Sequence, residues 1–259
     1  DALGAYARGD YRLAIIKWTA ILKEEPDQRT ASAMILDARG QIASLTKKRR
    51  LRAFEFISSG QYLKSFLELQ ALLDQDPGDP QLETLQSRLD SVIKLSPSIL
   101  PQTKAARAAV RGLAGFLIIP SDLKSAHNGL RYACELAPGE VLYKKLLGLL
   151  LAEHPALTAE DSVTPGMTLM EYKHFVALHQ IYDAKYPLAV GTLNEILALE
   201  PGDLLALKRL GSAYYSFGRM SEARAAWVSA LKLAPKDKTL QRFLAKTRAK
   251  KYTSSEATP

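Results

Sequence analysis

The stretch Leu207–Pro235, LKRLGSAYYSFGRMSEARAAWVSALKLAP, decides the fold. Its apolar residues recur at helical spacing on either side of Gly218, so it reads as two amphipathic helices joined by a tight turn. Gly211, Ala223 and Ala230 are small and let two antiparallel helices approach closely, while Tyr214 and Trp227 are large enough to fill the space beside them. Gly218 stands at the turn, where a left-handed backbone is easy for glycine alone. Pro235 ends the second helix, because it has no N–H to continue the ladder.

The same arrangement recurs upstream. Ahead of Pro26 the chain offers Gly9, Tyr11, Ala14, Trp18, Ile21 and Leu22; ahead of Pro77 it offers Ala53, Phe56, Gly60, Tyr62, Leu69, Leu72 and Leu73. Ahead of Pro201 stand Ala177, Tyr186, Ala189, Leu193, Ile196 and Leu197. A weaker copy precedes Pro138, with Ala114, Leu117, Leu123, Ala126, Leu130 and Ala133, and with Pro120, Ser121 and Asp122 as its internal turn. Pro201 and Pro235 are 34 residues apart.

With Leu210, Gly211, Tyr214, Gly218, Ala223, Trp227, Ala230 and Leu231 in place, the segment from about Leu204 to Lys236 resembles a tetratricopeptide repeat, whose period is roughly 34 residues. The resemblance implies an all-α chain, an α-solenoid of helical hairpins in which the first helix of each pair lines a concave groove suited to a peptide or helix of another protein. A tryptophan such as Trp18 in a second helix is similar to bacterial members of the family, which implies a bacterial source.

The other intervals between the proline markers are 51, 61 and 63 residues, so the array is not a plain tandem. The surplus is itself helical. Gln28–Leu45 has no breaker except Gly40 and runs on towards Ser58 as one long helix; Gln81–Lys94 and Val141–Ala152 read as further inserted helices. The expected divisions are 1–96, an N-terminal pair with a long connecting helix; 97–154, a degenerate middle repeat; 155–251, a C-terminal tandem; and 252–259, a polar tail. Ser96–Gln102 and His154–Met167 are the expected hinges. Lys236–Lys251 reads as a last helix that caps the array, with Leu240, Phe243 and Leu244 turned inward.

Composition bounds the function. Of 259 residues, 47% are apolar and 24% charged, which is ordinary for a globular protein. The longest apolar runs, Val110–Pro120 and Leu146–Ala152, fall far short of a membrane span. One cysteine, Cys134, excludes an internal disulfide and a multi-cysteine metal site. A lone thiol suits the cytoplasm and also a bacterial periplasmic or envelope-associated protein, so compartment stays open.

No catalytic constellation emerges. Glu171 and His174 have a Glu-x-x-His spacing, but bundle metal sites need two such pairs and further carboxylates. His174 and His179 point to different faces, and Cys134 occupies a position that is apolar in the other copies. No glycine-rich phosphate loop or Gly-x-Ser-x-Gly turn occurs. The chain is expected to be no enzyme and to use no metal or cofactor.

The expected activity is that of a scaffold or adaptor in assembly of a multiprotein complex. Lys208 and Ser212, with Lys173 from the preceding first helix, are the expected groove contacts. Some tetratricopeptide domains grip a terminal carboxylate with lysine, arginine and asparagine on their first helices. Here Asn128 and Asn194 both fall on second helices and Ser212 stands where asparagine is needed, so that function is not expected. The net charge is +8, with basic clusters at Lys47, Lys48, Arg49, Arg50 and Arg52 and along the last helix at Arg242, Lys246 and Lys250. They read first as solvated helix faces, and as the alternative function, a basic module for nucleic acid or an anionic membrane surface. Exposed aromatics for base stacking are not interleaved with them. A second copy of this chain is a further partner, through the long helix at Gln28–Ser58.

Overall fold

Proline and glycine cut the chain into helices at almost every place where they fall between amphipathic runs. The computed structural model describes residues 1–74, 79–158, 164 and 166–253, with side chains of the last helix described as far as 245. Among these residues the chain is all-α, with thirteen α-helices, one short 3₁₀ turn and no strand. Pro77 lies outside the described residues, as do 254–259 and the side chains of Lys246 and Lys250. No helix among the described residues is long and apolar enough to cross a membrane.

Two kinds of turn build the array. Inside a hairpin, the first helix ends in a residue with positive φ: Gly9 at +83°, Gly60 at +74°, Ala184 at +55° and Gly218 at +81°. In all four, that residue's N–H and the next one reach back to the last carbonyls of the helix: Gly9 to Tyr6 and Asp10 to Ala5, Gly218 to Tyr215 and Arg219 to Tyr214, with the same pattern at Gly60 and Ala184. Between hairpins, a proline follows a helix end, and the residue before it accepts an N–H from the residue three ahead. This closes Glu25–Gln28 over Pro26, Ala137–Glu140 over Pro138, Glu200–Asp203 over Pro201 and Ala234–Asp237 over Pro235. Asp203 then caps the following helix by accepting from Ala206 N–H. His154–Leu157 over Pro155 repeats the device.

The chain divides into two compact units. The first comprises residues 1–100 with 117–121 and contains α1 (Ala2–Ala7), α2 (Tyr11–Glu24), α3 (Arg29–Ser58), α4 (Tyr62–Leu73) and α5 (Pro80–Leu95). Ala5, Ala14, Trp18, Ala31 and Ala38 form its N-terminal core, with the Tyr6 ring against Trp18. α3 is continuous over 30 residues through Gly40, packing first on α2 and then on α4. Ser65 stands where the other copies carry Ala14, Ala189 and Ala223, and its buried hydroxyl donates to Ala53 O at 2.9 Å. The first part of the expected hinge after α5 is docked: Ile99 N–H donates to Gly60 O at 2.8 Å, and the Ile99 side chain is buried.

The second unit comprises residues 101–116 and the chain from 122 onward. It holds α6 (Lys104–Leu117, except its last residue), α7 (Leu123–Leu136), α8 (Val141–Glu153), the 3₁₀ turn Pro155–Thr158, α9 (Leu169–Tyr182), α10 (Tyr186–Leu199), α11 (Leu204–Ser216), α12 (Met220–Leu233) and α13 (Lys238–Thr253). The hairpins α9/α10 and α11/α12 share one core around Ala177, Ala189, Leu193, Ile196, Leu210 and Ala213. α13 covers its end, burying Leu240 and stacking Phe243 on Trp227 with ring centroids 4.9 Å apart.

The α6/α7 pair is the copy that the sequence shows least well, and its two helices cross at close range. A side chain added at Gly129 would stand 2.6 Å from the Gly112 backbone, and one at Gly112 would stand 2.7 Å from Leu130 N. The two helices therefore touch backbone to backbone at this crossing. Glycine is required there for space, since the obstacles are main-chain atoms that cannot swing aside.

Candidate binding cleft

α7, α9 and α10 enclose a cleft of about 250 Å³ in the second unit, closed at one side by Leu157 of the 3₁₀ turn. Glu195 of α10 is its centre. Its carboxylate lies 2.5 Å from Lys124 Nζ and 2.7 Å from Lys173 Nζ, and accepts from Asn128 Nδ2 at 3.4 Å. Lys173 is only 8% exposed and Lys124 is open to solvent, so one carboxylate balances a buried cation and a surface one. Tyr172, Gln180, Thr192 and His127 complete a polar lining.

The same face of α10 carries a second polar link to α6 and α7. Arg111 donates to the last carbonyls of α10, Ala198 O and Leu199 O, the position at which a cation best offsets a helix C-terminus. Lys104 Nζ lies 3.2 Å from Glu200, and Tyr132 donates to the same carboxylate at 2.8 Å. Burial pushes the Tyr132 hydroxyl up, and the bond to Glu200 adds to that shift. Glu135 in turn accepts the Leu169 N–H at the start of α9. Ionic and hydrogen-bonded contacts thus hold α6/α7 against α9/α10, whereas α9/α10 and α11/α12 share an apolar core as well as polar links.

The open face of α9 is different in kind. Phe175, His179 and Tyr182 follow one another at i, i+4 and i+7 and are all exposed, Tyr182 to 77%. The Phe175 and His179 rings lie 4.1 Å apart. Tyr62 and Trp227, at repeat positions, are buried, and the exposed aromatic residues elsewhere, Phe54 and Phe217, stand singly.

Of the residues expected to line a groove, Lys173 is in the cleft. Lys208 and Ser212 stand on α11 beside the cap: Lys208 Nζ is 2.5 Å from Asp237, and Ser212 Oγ donates to Lys208 O at 3.1 Å. Ser212 also borders a hollow of about 120 Å³ formed with Tyr215, Ser216, Trp227 and Phe243. In the first basic cluster, Arg49 pairs with Glu68 at 3.0 Å and Arg50 with Asp79 at 2.8 Å, while Arg52 approaches Glu68 at 3.9 Å. Lys47, Lys48 and Arg242 are exposed. Lys246 and Lys250 belong to α13, with side chains outside the described residues.

The remaining candidates for chemistry have structural employment. Glu171 closes a capping box with Thr168, whose backbone N–H holds the Glu171 carboxyl below the usual carboxylate range. His174 Nε2 lies 2.8 Å from Asp203, and Arg209 donates to His174 O at 2.9 Å, so both tie α9 to α11. Burial pushes the half-buried Cys134 thiol up, away from thiolate formation. Among the described residues no group of three His, Cys, Asp or Glu side chains is placed to hold a metal ion.

No protein-family profile matches this chain. No curated protein matches it either. Among solved structures it is similar to a crystal structure of the P58(IPK) TPR domain, at 15% identity, over 98% of this chain and 97% of that one, with a TM-score of 0.21. At that score the likeness has no bearing on function, and the assignment of hairpins rests on the four matched turns.

The α9 stripe was missed from sequence because Phe175, His179 and Tyr182 lie outside the repeat positions. Their i, i+4, i+7 spacing opposite Ala177 was the available signal. The hub role of Glu195 left no signal, since its partners are 22, 67 and 71 residues away in the chain.

Proposed function

We propose that this chain is a non-catalytic scaffold that holds a helix or peptide of another protein during assembly of a multiprotein complex. The observation that carries this reading is the exposed stripe Phe175, His179 and Tyr182 on α9, the helix whose other face lines the Lys173–Glu195 cleft. Aromatic side chains combine a large contact area with few rotatable bonds, and they dominate the energetics of protein interfaces. The cleft beside them supplies donors and acceptors that fix register without carrying most of the affinity. The pairing of Arg49 and Arg50 with carboxylates of their own unit leaves the basic-module alternative with less available charge than the sequence offers.

The test is site-specific photocrosslinking from position 182 in source cells, with position 224 on α12 as control. A discrete protein adduct at 182 that disappears with Phe175→Ala supports the scaffold reading. Nucleic acid or lipid adducts, or equal labelling at both positions, would overturn it.

A further inference from the structure

α3 has an unusual property for a helix of a folded domain: none of its residues from Arg39 to Arg52 is buried. Ala31, Ile35 and Ala38 anchor its first part, and Ala53 and Ile57 its last. The fourteen residues between span about 21 Å, nearly four turns. A helical stretch of that length is marginal in water without a packed face.

One side of this segment is apolar. Leu36, Ala43, Leu51 and Phe54 fall on a common face, with Gly40 between them, and this face lies to the side of the Ile35–Ala53–Ile57 face that packs on the unit. Leu36 is 73% exposed and Leu51 55% exposed. Around them Ala43, Thr46, Lys47, Arg50, Leu51 and Phe54 form a shallow concavity of about 440 Å³.

The charge around the stripe says what would cover it. Between positions 36 and 54 there are six cations and one carboxylate, Asp37, which accepts a hydrogen bond from Tyr6. Arg49, Arg50 and Arg52 are directed to Glu68 and Asp79. Arg39, Lys47 and Lys48 remain exposed, the first two alongside the stripe. A second copy lying antiparallel would set Leu36 against Phe54, yet it would also bring the exposed Lys47 of each copy, close to the centre of such a pair, towards its counterpart. An anionic bilayer would lie across both edges of the stripe and meet Asp37 and Glu55, at the two ends of the edge away from Arg39, whereas a helix seated on the Arg39 and Lys47 side avoids them.

We infer that the Leu36–Phe54 stripe of α3 is a docking ridge for an acidic amphipathic helix of a partner protein, with apolar residues seated on Leu36, Ala43, Leu51 and Phe54 and carboxylates facing Arg39 and Lys47. Gly40 and Ala43 leave room for such a helix to approach at a shallow crossing angle. Arg39 and Lys47 set partner choice through charge, and the leucines and Phe54 supply the buried area. This surface belongs to a different unit from the α9 stripe and stands or falls separately from it.

The experiment places a photocrosslinker at 43, at 51 and, on the opposite side of the helix, at 45 in the full-length protein in source cells, and maps each adduct by mass spectrometry. The expected result is labelling from 43 and 51 but not 45, within a partner segment that has apolar residues at helical spacing and a net negative charge. Arg39→Glu with Lys47→Glu should cut that labelling by roughly tenfold, while circular dichroism shows the helix content unchanged. Adducts between two copies of this chain, adducts to lipid, adducts to a basic or non-helical segment, or no excess of 43 and 51 over 45 would each overturn the proposal. The readout at position 182 is independent of all of these.

Discussion

Gly211 of α11 lies directly beneath the indole of Trp227 on α12, and a Cβ at position 211 would fall inside that ring's contact distance. Trp227 is held from two further sides, by the Nε1–H bond to Lys208 O at 3.2 Å and by the stacked Phe243 ring. Gly211→Ala would gain about 1 kcal/mol of helix propensity, but would force the indole from its seat at a cost of about 2–3 kcal/mol. A net loss of about 1–2 kcal/mol is expected in urea unfolding, with a shift of Trp227 emission. A rise in stability would show that the ring yields freely and that close approach is not what the glycine serves.

Ala184 is a non-glycine residue in a left-handed turn that glycine occupies in the three equivalent hairpins. The strain on a side chain there is about 1–2 kcal/mol. Ala184→Gly relieves it and returns part as added freedom of the unfolded chain, for a net gain of about 0.5–1 kcal/mol. The reciprocal change, Gly218→Ala, should cost about 1 kcal/mol, and thermal unfolding of both variants measures the pair.

Tyr62 is fully buried and its hydroxyl has no hydrogen-bond partner. Burial pushes that hydroxyl far up, so it is never ionised near neutrality. An unmade hydrogen bond in the interior costs about 1–3 kcal/mol, so Tyr62→Phe should leave stability unchanged or raise it by about 1 kcal/mol. Destabilisation by a similar amount would mean that the hydroxyl is satisfied in solution.

Glu195 balances Lys173, which is buried, and Lys124, which is not. Removing it by Glu195→Ala strands the buried ammonium and should cost about 3 kcal/mol, whereas Lys173→Met should be neutral or stabilising. Lys124→Ala should change stability by less than about 0.5 kcal/mol, because an exposed pair is screened. Equal effects of the three variants in urea titrations would refute the hub arrangement.

Asp237 caps α13 and joins it to Lys208; that bond, with the Leu240 N–H, holds its carboxyl below the usual range. A carboxyl depressed in the folded state stabilises above its unfolded value, near about 3.9, and loses that contribution as pH falls through the folded value. Acidification below about pH 4 should therefore loosen the cap. In a Trp18→Phe background, Trp227 emission should report an acid transition that Asp237→Asn abolishes.

The residues that were legible in sequence share one trait: each acts on its own neighbourhood. Glycines 9, 60 and 218 choose their turn because the left-handed region is nearly closed to other residues, and the prolines of the described residues stand outside the helices or in a first turn, as Pro80 and Pro187 do. The unbroken run from Arg29 to Ser58 was readable for the same reason, since nothing in it opposes a helix except Gly40. Ala184 was not readable as a turn residue, because it lacks the local preference its conformation asks for.

By itself, the sequence determined that this protein is helical, where its hairpins turn and which residues pack between paired helices, because φ preferences, missing N–H groups and periodicity operate within a few residues. Only the tertiary structure decided that Gly112 and Gly129 meet backbone to backbone, that Arg49 and Arg50 are spent on Glu68 and Asp79, that Lys208 holds the cap, and that Leu36, Leu51 and Phe54 are left bare. Those outcomes depend on which distant side chain arrives within about 4 Å, and charge and contact energies are set by that distance, not by position in the chain.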